Sequence, residues 1–278
     1  MTIIIRRERR VPTKSTTVST SSTGLPKWRQ SPIDLAKTAT WSKRFPPLYL
    51  TNYWSNGGTA TMTNTGKTGT MQRIYLVTIE FSGRAQPWMR GGPLGNDEFQ
   101  FTNIAFRWGA DNSLGAEHSI DGVWYSMEAQ LMHWNTRYGS MDKCFDKPDG
   151  MAMLSYLMQV VGCPGIPDNP SLSLITNNLA SIKKMGSSTS ISPDCLLWML
   201  EACKGHGYYT YPGSLTFPPY HECVTWIISP VITKISVRQI DAFRGLYNGK
   251  WKNISKNNRQ QQRLQRRRIL FVTDDAVA

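Results

Sequence analysis

FTNIAFRWG, residues 101–109, alternates with the two-residue period of a strand. Ile104, Phe106 and Trp108 share one face; Asn103, Ala105 and Arg107 share the other. The first set is ordinary core material. The second places an alanine and an arginine side by side, so that face meets either water or a cavity.

Similar segments flank this stretch. RIYLVTIEF (73–81), EAQLMHW (128–134) and CVTWIISPV (223–231) read as strands. Turn signals separate them: SNGG (55–58), NTGKTG (64–69), RGGPLGND (90–97), GADNSLG (109–115) and YPGS (211–214). The pattern predicts a mainly β protein with a few short helices. LITNNLASIKKM (174–185) and VRQIDAFRGL (237–246) have helical spacing. DGMAMLSYLMQVVG (149–162) is too densely apolar for periodicity to separate helix from buried strand. Residues 25–272 read as one domain. A basic, Ser/Thr-rich arm precedes it at 1–24 and a short tail follows at 273–278.

The chain has 278 residues and a formal net charge of +13. RRERR (6–10) and KWKNISKNNRQQQRLQRRR (250–268) supply much of that charge. Such a balance favours polyanions such as nucleic acid, sulfated sugar or acidic lipid surfaces, or it marks solvated end segments. No zinc-finger spacing, phosphate-cradling glycine loop or nucleic-acid module accompanies it. The ten tryptophans are spread along the chain and read as core and cleft material. Five cysteines without a CxxC predict free, mostly buried thiols. With no secretory signal and no transmembrane run, the expected compartment is the cytoplasm. The sequon Asn253-Ile254-Ser255 would matter only in a secreted chain.

Four stretches carry a resemblance: QSPIDL (30–35), FRWGADNSLGAEHSIDG (106–122), MEAQLMHWN (127–135) and YTYPGSLTFPPYHECVTWI (209–227). NTGK (64–67), GGPLG (91–95) and FRGL (243–246) follow the same order and spacing. Together they resemble the α-carbonic anhydrase family, over nearly the whole domain. The resemblance implies a central, twisted, mostly antiparallel sheet of about ten strands with a conical cleft. It also implies CO2 hydration by a zinc ion held on three histidines.

On that resemblance the three zinc-ligand positions fall on Ala105, Arg107 and Gln130. Alanine has no donor atom, arginine has no lone pair, and glutamine is a poor zinc ligand beside imidazole. The expectation is therefore a protein with no zinc and no cofactor, a non-catalytic relative acting as a binding or scaffold module. Its partner would be a protein or polyanion reached through the basic surface. The alternatives are residual or unconventional metal binding with hydratase activity, and a degenerate gene copy.

The same resemblance matches Thr216 and Glu117 to the pair that orients the hydroxide in active members. Glu128 matches the glutamate that fixes a zinc histidine, and Asn103 stands for a glutamine with the same task. Lys67 takes the proton-shuttle position. Met132, Met153, Leu215, Phe217, His221 and Trp226 line the cleft. His118 and His133 are expected to be structural. Arg107 is expected to pair with Glu128, Glu117 or a bound anion, because an unpaired buried guanidinium would cost several kcal/mol.

Overall fold

The computed structural model describes residues 28–66, 77–161, 167–203 and 206–273. The strands among them run in chain order as β1 (Asp34–Leu35), β2 (Thr40–Ser42), β3 (Leu48–Thr51), β4 (Thr59–Asn64), β5 (Val77–Ser82), β6 (Trp88–Gly91) and β7 (Phe99–Trp108). They continue as β8 (Ser119–Ile120), β9 (Met127–Asn135), β10 (Met151–Val160), β11 (Ser188–Ile191), β12 (Tyr208–Gly213), β13 (Val224–Ile235) and β14 (Ile269–Val272). Among the described residues, twelve of these strands form one sheet. Its ten-strand path runs β11-β4-β5-β7-β9-β10-β13-β12-β14-β2, with β3 and β6 attached beside β7. Most pairs are antiparallel, but β10 with β13 and β14 with β2 are parallel. β1 and β8 form a small parallel pair of their own.

The dense apolar run at 151–160 is strand β10, placed between β9 and β13 at the middle of the sheet. Both its faces are buried, which is why no alternation shows in its sequence. The segment at 174–185 forms only fragments: α1 (Ser173–Thr176) and a 3-10 turn at Leu179–Ile182. Asn177 and Asn178 interrupt it, and the Asn178 side chain donates back to the Leu174 carbonyl. After the short α2 (Leu200–Cys203) comes α3 (Val237–Arg244), which matches its predicted helix. A capping box starts α3: Gln239 N–H donates to Ser236 Oγ at 3.1 Å, and Ser236 N–H donates to Gln239 Oε1 at 3.3 Å.

Hydrophobic residues pack on both faces of the sheet. Ile104, Phe106 and Trp108 enter one cluster with Phe243 of α3, whose ring centroid lies 5.0 Å from that of Phe106. Ala105 enters a second cluster with Met132, Met153, Leu215, Phe217 and Trp226. The tryptophans are not all interior: Trp28, Trp41 and Trp251 are exposed at 54%, 60% and 65%. The last two lie on the rims, Trp41 on edge strand β2 and Trp251 in a loop, where no second layer covers them.

The basic C-terminal segment is no free tail. Asn257 clamps the end of β7, accepting from Trp108 N–H at 2.7 Å and donating to the Phe106 carbonyl at 2.8 Å. Gln262 N–H reaches the Pro32 carbonyl at 2.7 Å. The described cysteines, Cys144, Cys195, Cys203 and Cys223, are free. Burial pushes the Cys195 and Cys223 thiols up to about 12 and Cys203 up to about 11, so they are inert at neutral pH. Cys163 lies outside the described residues, as do Lys67, the whole predicted N-terminal arm and all but the first residue of the C-terminal tail.

Candidate functional site

Register builds the site. Ala105 of β7 lies opposite Gln130 of β9, which lies opposite Ser155 of β10. One row along, Arg107 faces Glu128, and Glu128 faces Leu157. With the two-residue period, all six side chains emerge on one face of the sheet. His133, an odd number of residues from Gln130, emerges on the other. Loop residues 116–118, just before β8, and 214–217 close over the first face, where Glu117, His118 and Thr216 bond to its side chains.

Glu128 is the hub. Its Oε2 accepts from the backbone N–H groups of Glu117 at 2.8 Å and His118 at 2.9 Å. Its Oε1 accepts from Ser155 Oγ at 2.7 Å and Gln130 Nε2 at 2.9 Å, with His118 Nδ1 also 2.9 Å away. Burial alone would raise this carboxyl. The charge of His118 and the donors from His118 and Gln130 outweigh it and hold the carboxyl below its ordinary value. The fixed carboxylate in turn places the 117–118 loop. His118 continues the chain of bonds, with Nε2 at 2.7 Å from the Tyr211 hydroxyl. That hydroxyl donates to Ser31 Oγ at 2.9 Å. The Trp226 indole packs against the His118 ring at a 59° tilt, centroids 4.6 Å apart, and donates to the Ser214 carbonyl at 3.1 Å.

Arg107 lies inside this frame and is only 3% exposed. Its Nε donates to Gln130 Oε1 at 3.2 Å and lies 3.6 Å from Glu117 Oε1. A terminal amino group reaches Thr216 Oγ1 at 3.4 Å. Of the two carboxylates expected as its partner, Glu117 forms the ion pair. Glu128 is its cross-strand neighbour, but that carboxylate is already filled by the 117–118 amides, His118, Gln130 and Ser155.

Gln130 bridges the two acids. Its amide N–H2 donates to Glu117 Oε2 at 2.8 Å and to Glu128 Oε1 at 2.9 Å, while its oxygen faces Arg107. This orientation is the favourable one, since the reverse would set an amide oxygen against two carboxylates. Glu117 Oε1 also accepts from the backbone N–H of Arg259 at 2.8 Å. Both Glu117 oxygens are thereby committed.

Met132 and Met153 lie opposite each other in register, and both are buried. With Leu215 and Phe217 they fill the floor beside Ala105. His221 stacks on Phe145 with ring centroids 5.2 Å apart. Asn103 does not join the network: its Oδ1 is buried with no hydrogen-bond partner among the described residues. A bulge between Phe101 and Asn103 shifts the register there.

Across the sheet, His133 Nε2 lies 2.5 Å from the Tyr53 hydroxyl. Burial lowers His133 to about 3, against smaller opposing contributions from the Ala152 and Leu131 backbone, so its ring is neutral.

Arg259 and Ser155 are site residues that the sequence reading missed. Ser155 hides in an apolar run, where a lone hydroxyl in a doubly buried strand is the usable signal. Arg259 acts through its backbone N–H, and for that no side-chain signal exists.

The donor set does not fit a zinc ion. Ala105 offers no atom, the guanidinium of Arg107 is a donor only, and the amide oxygen of Gln130 is taken by Arg107. Among the described residues no three His, Cys, Asp or Glu side chains gather to hold a metal. No helix among them is long and apolar enough to cross a membrane.

The fold and this central network together define a large-sheet domain with a polar site buried at its middle strands. The family described as eukaryotic-type carbonic anhydrase matches residues 19–273. The chain belongs to that family. Carbonic anhydrase 1 of Mus musculus is 40% identical over 165 residues, which cover 58% of this chain. The match spans 59% of the length of that relative.

Proposed function

We propose that this chain is a carbonic anhydrase-related protein without zinc and without hydratase activity, serving as a binding or scaffold module. The reading assigns Ala105, Arg107 and Gln130 to the positions where active members carry zinc histidines. The observation that carries it is the Arg107 guanidinium, buried and held between Gln130, Glu117 and Thr216. A fixed positive charge replaces the cation there, and it compensates the retained acids Glu117 and Glu128.

Two further features support the reading. Each Glu117 oxygen already accepts from a protein group, Gln130 Nε2 or the Arg259 N–H, and Thr216 Oγ1 accepts from Arg107, so the pair is engaged with protein groups rather than with a hydroxide. Met132, Met153 and Phe217 fill the floor where a small substrate would rest. The module's partner, a protein or polyanion, would be met by the basic surface. The alternative, residual hydration with an unconventional metal, draws on the retention of Thr216 and Glu117.

Zinc content after dialysis, measured with CO2 hydration, separates the two. The expected result is well under one zinc per chain and no hydration above buffer. The triple variant Ala105→His/Arg107→His/Gln130→His should gain both zinc and activity. One tightly held zinc per unmodified chain would overturn the proposal.

A further inference from the structure

A surface cavity of about 400 Å³ lies far along the chain from the buried network's strands, walled by Trp28, Arg29, Gln265, Arg266 and Arg267. That volume falls in the range of pockets that take one small molecule, rather than a long polymer. Among the described residues its wall carries an indole and three guanidinium groups, and no carboxylate.

Each arginine has a different part. Arg267 is fixed in place. Its guanidinium donates to the carbonyls of Gln30 at 2.7 Å, Arg263 and Leu264 at 2.9 Å, and Pro212 at 3.2 Å. Carbonyls satisfy its donors without cancelling its charge, so it sets a positive potential at the cavity wall. Arg29 is partly spent on Glu222, 3.9 Å from its Nε. Arg266 is exposed. The turn that presents it places Gln265 in the left-handed region at φ 60°, a conformation a non-glycine residue adopts at a cost. One residue beyond Arg267, the Arg268 guanidinium lies 5.4 Å over the Trp41 ring.

An exposed aromatic face beside uncancelled guanidinium charge is the chemistry that recognises a flat base carrying phosphate. We propose that this cavity binds a nucleotide, its base against Trp28 and its phosphates on Arg266 and Arg29. The ligand is either a free nucleoside phosphate or one nucleotide of a single strand. The site stands apart from the zinc question, since a chain that did bind zinc would still carry it.

The test is titration of the full chain, with and without EDTA, using ATP, tripolyphosphate, adenosine and the oligonucleotide dT12 as probes. ATP should saturate, with adenosine and tripolyphosphate each about tenfold weaker, because both halves of the cavity are needed. Trp28→Ala should weaken ATP about tenfold, the scale of a lost base–aromatic stack, and leave tripolyphosphate unchanged. Arg266→Glu should weaken ATP and tripolyphosphate alike. Lys252→Glu, the same charge change in a different turn, should leave ATP within about twofold of the unmodified chain.

Tighter binding of dT12 than ATP, with a steep salt dependence, identifies the strand as the source; the reverse order identifies the free nucleotide. Three results would overturn the proposal: no saturation by ATP or dT12 at millimolar concentration, equal binding of ATP and tripolyphosphate that ignores Trp28→Ala, or Lys252→Glu acting as strongly as Arg266→Glu. Preferential binding of a sulfated disaccharide with no nucleotide binding would overturn it as well. EDTA-independence of the ATP arm keeps its outcome separate from the zinc measurement.

Discussion

The two faces of β7 bury similar numbers of side chains by opposite means. On one, Ile104, Phe106 and Trp108 meet α3 and the first cluster mainly through apolar contact, with one hydrogen bond from the Trp108 indole to the Ile254 carbonyl at 2.7 Å. On the other, Arg107 joins Gln130, Glu117, Glu128, His118 and Ser155 in a network of charges and hydrogen bonds. Apolar packing is non-directional and tolerates repacking. A buried polar network is satisfied as a whole, and one missing member strands its partners. The faces should therefore fail differently under mutation and under pH.

The largest effect is expected at the hub. Glu128→Ala leaves two backbone amides, His118, Gln130 and Ser155 without their acceptor. It should cost about 4 kcal/mol or more at neutral pH, read from urea unfolding. The Glu128 carboxyl is lower in the folded chain than in the unfolded one. Its contribution is thus complete above the unfolded value near 4.3 and is lost as pH falls through the folded value. The deficit of Glu128→Ala should shrink in acid. Phe106→Ala, on the apolar face, should cost about 3–5 kcal/mol with no such dependence. Equal acid dependence for both variants would break the contrast between the faces.

Arg107→Met should cost about 3 kcal/mol, because it leaves Glu117 buried without its cation. Arg107→Met combined with Glu117→Gln should recover much of that loss, as the lone charge is then gone. Simple additivity in this double-mutant cycle would show that the pair at 3.6 Å is not energetically coupled.

His133 sharpens the comparison, being a titratable group on the apolar face. Its folded value of about 3 lies below the ordinary 6.5, so the unfolded chain binds the extra proton. Its stabilising contribution is whole above pH 6.5 and falls by about 1.4 kcal/mol per unit as pH drops from there toward 3. His133→Gln should flatten the stability profile over that window by close to one proton. An unchanged slope would place the acid sensitivity elsewhere.

The smallest effect belongs to the clamp. Asn257→Ala removes two bonds at the end of β7 and should cost about 1–2 kcal/mol, the scale of hydrogen bonds lost at a partly buried site. Hydrogen exchange at Trp108 N–H, faster in the variant, is the direct measurement.

The alternation of β7 and β9 was readable from residue types, because side-chain direction in a strand follows from position alone. Alternation also put His133 on the face opposite Gln130, whereas the meeting of Gln130 with Ala105 and Arg107 was implied by the family resemblance. β10 was ambiguous because burial on both faces erases the period. The fragmentation at 174–185 was hidden because helical spacing does not register two asparagines that compete for the backbone.

Sequence by itself determined the chemistry available at the centre: one cation, two acids, one amide, and no imidazole among the three central positions. Only the tertiary structure decided how they pair. The choice of Glu117 over Glu128 for Arg107 depends on which carboxylate is already filled, and the groups that fill Glu128 come from a loop and from β10. The basic segment at 250–268 had read equally well as solvated charge. It clamps β7 through the Asn257 side-chain amide, whose partners are backbone groups, and commits Glu117 through the Arg259 backbone N–H, a group that every non-proline residue carries and no sequence pattern marks.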